Sequence, residues 1–311
     1  MLVGLGASRL VASQAPPRLP AATGTTSILT NPGADTEALV FQQPLDAGCA
    51  TAGSIWVVSD GGGIGRFSDG RWSLVDATLR SLVSVACTTN EAIAVGPAGR
   101  VVTADELGRT IVADTSGPGD LNAVAAGAGG VVLAAGAQGT VLQRSGGWQP
   151  FARGIDEDLL GVSTAGPTSA WVVGSGGATY RLEDRGWRAL PTGLALALRA
   201  VAAGPDLAVA VGDDGAVLRW NGSWTRLASG TTVTLRSAAL VGTSAWVAGD
   251  AGTALRIDLI TERSERIDLG TACTVRSVFV RGPEVWFVAS AGTRAAVWRQ
   301  DPSGLRRWGG C

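Results

Sequence analysis

The chain has 311 residues, with 25 basic and 26 acidic side chains for a net charge of -1, and 45 glycines, a load that suits a turn-rich all-β protein. Every basic residue is Arg; with no Lys and no His, imidazole acid–base chemistry, lysine Schiff bases and imidazole metal ligands are excluded. The balanced charge and the lack of an Arg run argue against a hold on phosphate backbones, so nucleic acid is not an expected partner.

At the start, Met1 to Ala15 is apolar and ends in Ala12-Ser13-Gln14-Ala15, a small-residue pattern suited to cleavage, but Arg9 interrupts it and no basic segment precedes it. Residues 16–37 are rich in Pro, Thr, Ala and Gly without periodicity. The expectation is an N-terminal arm or linker over 1–37, a degraded or mis-started signal segment, followed by one domain over 38–311. The most apolar stretch, Leu190 to Gly212, is broken by Pro191, Arg199, Pro205 and Asp206, which rules out a membrane span there.

From residue 55 onward the chain repeats. A short apolar strand, Gly-x-x-Gly and a second apolar strand recur at Ala92–Gly99, Leu133–Gly139, Ala170–Gly177, Ala208–Gly215 and Ala245–Gly252. Two weaker copies are Ile55–Gly62, with Ser59 at the first Gly position, and Val285–Gly292, with Ala289 there. The second glycines fall at 62, 99, 139, 177, 215, 252 and 292, a period of about 38 residues. Each copy opens with a Leu/Val-x-x-Val start (Leu82–Val85, Leu121–Val124, Leu198–Val201, Val275–Val278), which is strand A. Strand B runs into the Gly-x-x-Gly, strand C follows it as in Ala216–Trp220, and a Gly-x-Trp-type turn leads to strand D at Trp72, Trp148, Trp187 and Trp224. The glycines suit the positive φ of a tight hairpin, and the alternating Val, Leu and Ala suit a sheet covered on both faces. Four antiparallel strands repeated seven times predict an all-β fold, a seven-bladed β-propeller.

Leu198 to Trp224, with its core Val209-Ala210-Val211-Gly212-Asp213-Asp214-Gly215-Ala216-Val217-Leu218-Arg219-Trp220-Asn221-Gly222-Ser223-Trp224, resembles the bacterial BNR or Asp-box-like propeller repeat, also found in photosystem II assembly-factor-like proteins. The Asp-box Ser-x-Asp-x-Gly-x-x-Trp appears here in shortened forms, Ser68-Asp69-Gly70-Arg71-Trp72 and Asn221-Gly222-Ser223-Trp224. The resemblance implies a rigid disc used for binding, often in exported or assembly proteins.

Within the repeat, Trp residues form two columns: Trp56, Trp171, Trp246 and Trp286 precede the first Gly position, and Trp72, Trp148, Trp187 and Trp224 follow the second. A side chain that recurs blade after blade reads as filler between sheets. Trp220 and Trp298 lie outside both columns and are the candidates for contact surface. Arg199, Arg236 and Arg276 share one position at the start of strand A in blades five to seven, where blades two to four carry Val83, Asn122 and Leu160. Two readings stand side by side: a cationic sector that takes a carboxylate or phosphate, or internal pairing with Asp213, Asp214 and Asp250 of the B–C turns. A second column, Arg66, Arg181, Arg219 and Arg256, reads as a solvent-facing or pairing position on strand C.

Cys49 and Cys87 are one repeat apart, as are Cys273 and Cys311, so the natural pairing is Cys49–Cys87 on one face and Cys273–Cys311 on the other. Bridged, they imply export to the periplasm, the medium or the cell surface; as free thiols they fit the cytoplasm. A sialidase-like reaction would need a Tyr at the channel, and the one Tyr, Tyr180, sits on strand C of blade four, off the axis. No carboxylate pair is singled out by spacing, and no Cys-x-x-Cys or calcium loop is present. Asn221-Gly222-Ser223 coincides with a repeated turn and reads as turn chemistry.

These features add up to a monomeric, non-catalytic scaffold without cofactor or metal, with a protein partner docked over the face of Arg199, Arg236 and Arg276. Two other readings remain open: a disc that binds or cleaves glycans through Trp220, Trp298 and channel acids, and a structural surface protein with no discrete site.

Overall fold

A computed structural model describes residues 40–76, 80–114, 119–184 and 186–311. The arm expected over 1–37 lies outside the described residues. The rest forms seven sheets, each of four antiparallel strands in sequential order. In blade five, for example, strands A to D are Leu198–Ala203, Ala208–Gly212, Val217–Trp220 and Trp224–Leu227. Strand A of every blade meets strand A of the next, and blade one (strand A, Leu45–Ala50) meets blade seven (strand A, Thr274–Arg281), so the ring is closed. The fold is a seven-bladed β-propeller. No helix among the described residues is long and apolar enough to cross a membrane.

The Gly-x-x-Gly of the repeat has two separate causes. A Cβ on Gly212 would lie 2.1 Å from the Ala197 carbonyl oxygen, so the first glycine allows strand B to press against the start of strand A; its φ of -169° is ordinary extended backbone. The second glycine does need its freedom. Gly215 has φ +62°, and a Cβ there would sit 1.9 Å from the carbonyl oxygen of Thr231 in the chain entering the next blade. The expectation that both glycines serve a positive φ therefore holds for the second alone.

Burial is concentrated between neighbouring sheets. Blades seven and one pack Phe41, Trp72, Trp286 and Trp308 with Val57, Val288 and Val297, and the Trp286 and Trp308 rings stack with centroids 5.6 Å apart. Blades four and five enclose Trp171, whose ring meets Trp220 and Trp224 edge-on at 5.3 and 5.4 Å. Cross-strand pairing sets Arg66, Arg181 and Arg256 against Trp56, Trp171 and Trp246, with each guanidinium 5.4–5.7 Å from its ring centroid. Arg219, opposite Val209, instead bonds the Leu259 carbonyl at 2.6 Å and Glu262 at 3.0 Å.

Cys49–Cys87 and Cys273–Cys311 are both placed at disulfide distance, with Cα atoms 5.6 and 6.1 Å apart. The first joins strand A of blades one and two; the second joins the link into blade seven to the residue after that blade's outer strand, Gly304–Gly309.

Candidate functional site at the channel mouth

Near the start of strand A a buried Leu or Val is followed by one residue at which the A–B register slips. This bulge occurs in every blade except the second, and it re-aims a side chain out of the ladder. The residues so displaced, with Val83 at the same place in blade two, line one mouth of the axial channel: Asp46, Val83, Asn122, Leu160, Arg199, Arg236 and Arg276. Asp60 joins them at the rim of a cavity of about 350 Å³. The opposite end is lined by small and apolar residues such as Ala50, Ala86, Ala125, Ala202 and Ala239.

The mouth is divided in two. Blades two to four contribute Val83, Asn122 and Leu160; blades five, six, seven and one contribute Arg199, Arg236, Arg276 and Asp46. Arg199 holds Asp213 with two bonds, Nε to Oδ1 at 2.6 Å and Nη2 to Oδ2 at 3.2 Å. Arg236 holds Asp250 the same way, at 2.6 and 3.0 Å. Each carboxylate also accepts a hydroxyl from the next blade, Thr234 on Asp213 at 3.2 Å and Thr274 on Asp250 at 3.1 Å. These hydrogen bonds, that from Arg199 above all, hold the Asp213 carboxyl below its ordinary range, and the Arg236 bond does the same to Asp250.

Blade seven departs from this pattern. Arg276 reaches across to blade one, with Nη1 3.5 Å from Asp46 Oδ1. Its Nε is buried and finds no acceptor. The A–B register sets Val275 opposite Ala289, as Leu198 is opposite Gly212, so Ser290 takes the place of Asp213 and Asp250. Ser290 is 2% exposed and its Oγ is also without a partner. Burial pushes the Asp46 carboxyl above its ordinary range, opposed by the Asp60 N–H and by Arg276.

The structure thus gathers Arg199, Arg236 and Arg276 in one sector, and it agrees with the paired alternative in that each guanidinium faces a carboxylate. Asp214, the other acid named for pairing, is exposed at φ +53° in its turn and lies outside this mouth. Sequence reasoning missed Asp46, which follows Leu45 as Arg199 follows Leu198; the Leu-x-x-Val signature was hidden because Gly48 stands where Val is usual.

Trp298, expected as contact surface, is 1% exposed and packs against Phe287 in the core of blades six and seven. Register explains the error. The B–C hairpin of blade seven runs further than the others, so Val288 pairs Val297 as Val211 pairs Val217, and Trp298 aligns with the inward Leu218. Trp220 is half-buried within the Trp171–Trp224 group. Tyr180 stands away from the mouth, its hydroxyl donating to Glu157 at 2.8 Å, and burial together with that carboxylate pushes its pKa up to about 12.

No protein-family model and no curated protein matches the sequence. Among solved structures, the chain is similar to the WD40 β-propeller domain of Doa1, with TM-score 0.72 and 12% identity over 85% of this chain and 95% of that one. The RRP9 WD40 repeats give TM-score 0.69 and 10% identity over 80% and 88%. YCF48 bound to D1 peptide gives TM-score 0.65 and 14% identity over 86% and 92%. What these share with the chain is the fold.

Proposed function

We propose that this protein is a non-catalytic, monomeric protein-binding scaffold of the BNR or Asp-box-like type, whose partner docks over the channel mouth bearing Arg199, Arg236 and Arg276. The observation that carries the reading is the divided mouth: a rigid frame presents a neutral arc of Val83, Asn122 and Leu160 beside an arc of charged pairs. Such a surface offers orientation and register to a partner through both shape and charge. YCF48, a neighbour in fold, is solved with a peptide bound, which makes peptide capture a precedent for the architecture. The cysteine pairs at disulfide distance support export to an oxidising compartment, periplasmic, secreted or on the cell surface. The glycan reading leaned on Trp220 and Trp298, and it loses support because Trp298 is buried and Trp220 half-buried.

Affinity capture from the native host under non-reducing conditions tests the proposal. Arg-to-Glu reversals at 199 and 236 would set like charges against Asp213 and Asp250, so the informative variant is Arg199→Gln/Arg236→Gln/Arg276→Gln, with folding checked by circular dichroism. The expected result is a protein captured by the wild type and lost from the folded triple variant. Equal capture by both overturns the site.

A further inference from the structure

We propose that a second cavity on this face, at the corner of blade four lined by Tyr180 and Glu157, receives an arginine side chain from a peptide of the docked partner. The proposal rests on the reading of this face as a protein-docking surface, and it names a group that the face recognises.

The cavity has a volume of about 330 Å³ and lies where the B–C turn of blade four meets the link into blade five, with Tyr180, Glu157, Leu190, Pro191, Thr192 and Leu194 in its wall. It shares a face with the channel mouth. The Ser175 N–H of that turn bonds the Asp158 carbonyl at 2.9 Å, and Leu160, which lines the mouth, stands three positions after Glu157. At about 3.3 Å per residue the chain separates the two sites by about 10 Å at most, so one short peptide can touch both.

Two departures from the repeat meet here. The strand C position of Tyr180 carries Gly65, Val102, Leu142, Leu218, Leu255 and Trp298 in the other blades, none with a hydroxyl. Glu157 stands two residues before the first buried Leu of strand A, where Leu196, Val233 and Cys273 precede blades five, six and seven. The Tyr180 hydroxyl donates to the Glu157 carboxylate at 2.8 Å, and among the described residues no Arg forms an ion pair with that carboxylate. The Tyr180 bond holds the Glu157 carboxyl below its ordinary range, while burial and that carboxylate push Tyr180 up to about 12. At neutral pH the cavity therefore presents a fixed negative charge beside a neutral phenol, and both groups are half-buried, so they can be reached from solvent.

A planar cation on an aliphatic stem matches this wall. The carboxylate takes the guanidinium, Pro191 and Leu194 cover the stem, and the Tyr180 ring offers an aromatic face, as Trp171 of the same blade does to Arg181 at 5.4 Å from the ring centroid. Blade five gives an internal precedent. Its equivalent corner is lined by Asp214 and by the exposed Arg226, which pairs with Leu218 across strands C and D as Ala189 pairs with Tyr180. Blade five thus brings its own guanidinium to the corner, whereas blade four has an acid there and only the methyl of Ala189.

The test uses the full chain and two pools of fluorescein-labelled hexapeptides, random except for a fixed central Arg in one and its uncharged isostere citrulline in the other, followed by anisotropy. Wild type is compared with Glu157→Gln, which removes the charge, and with Ala189→Arg, which fills the corner from within as blade five does. The expected result is saturable binding of the Arg pool, weaker by about tenfold or more for the citrulline pool and for both variants. Ala189→Arg, at an exposed strand D position, is also expected to melt no lower than wild type, which separates a filled cavity from a damaged fold. Equal affinity for the two pools, no saturable binding of the Arg pool, or unchanged affinity in either variant overturns the proposal. Displacement by free agmatine at the peptide's own concentration also overturns it, assigning the cavity to a small cation. If the triple Arg variant loses its captured partner while Glu157→Gln keeps it, the cavity falls and the docking face stands. If Glu157→Gln loses the Arg pool while the triple variant captures the partner as before, the cavity stands and the docking face falls.

Discussion

The seam between blades five and six and the seam between blades seven and one perform the same task with different parts. At the first, a turn carboxylate, Asp213, ties its own blade through Arg199 and the next through Thr234. At the second, the corresponding turn residue is Ser290, the next blade offers Pro44, and closure passes to other groups. The Phe41 carbonyl accepts the Ala295 N–H at 3.2 Å, and Phe41, Phe67, Trp72, Trp286 and Trp308 fill the interface. One seam is polar and repeated; the other is aromatic and particular. The contrast teaches that the repeat encodes the blade, while the residues that break the repeat mark where the ring is closed.

Removing the aromatic filling is the strongest way to break the contrast. Trp286→Ala deletes a ring packed against Phe67, Phe279 and Trp308, and is expected to cost about 3–5 kcal/mol in chemical denaturation. A loss under 1 kcal/mol would mean that the seam does not depend on its aromatics. Next in size is a test of the strand A to strand B approach. Gly212→Ala forces a Cβ against the Ala197 carbonyl and is expected to cost about 1–3 kcal/mol, whereas blade seven already carries Ala289 at the equivalent position. Ala289→Gly should therefore change stability by about 1 kcal/mol or less, through backbone entropy. Equal costs for the two would show that blade seven is no different there.

The smallest effect concerns pH. Asp213 and Asp250 have lowered folded values, so their stabilisation is present above the unfolded carboxylate value of about 3.9 and is lost as pH falls through the folded values. Asp46 has a raised value and the opposite sign: its contribution favours the fold at low pH and fades as pH rises from the unfolded value through the folded one. Asp213→Asn is expected to remove about 1 kcal/mol at neutral pH, the pair being partly exposed, and to flatten the acid limb of a melting-temperature profile. Asp46→Asn should make that limb steeper than in wild type, because the opposing contribution is removed. Identical profiles for the two variants would erase the distinction between the seams.

Much of the fold was legible because the period, the paired glycines and the Leu-x-x-Val starts are statements about backbone, and backbone geometry repeats. Both cysteine pairs followed from the same period, and so did the meeting of Arg199, Arg236 and Arg276 in one sector. The sequence was less legible wherever a blade departs from the period. The longer hairpin of blade seven shifted the count, which put Trp298 on the surface when it is in the core and hid Arg299 from the column of Arg66 and Arg219, although it pairs with Trp286. Asp46 escaped because Gly48 interrupts the signature, and the choice between free and paired Arg turned on side-chain directions that spacing does not fix.

The main chain crosses every seam of the ring but one. Blades seven and one hold each other without a covalent link, while Cys49–Cys87 and Cys273–Cys311 reinforce the blades on either side. In mechanical terms the molecule is a split washer. Any load that spreads the disc, whether from a partner wedged in the channel or from tension on the chain, is borne at that gap first. Arg276 and Asp46 stand on its two lips, and their ion pair acts as a clasp across it.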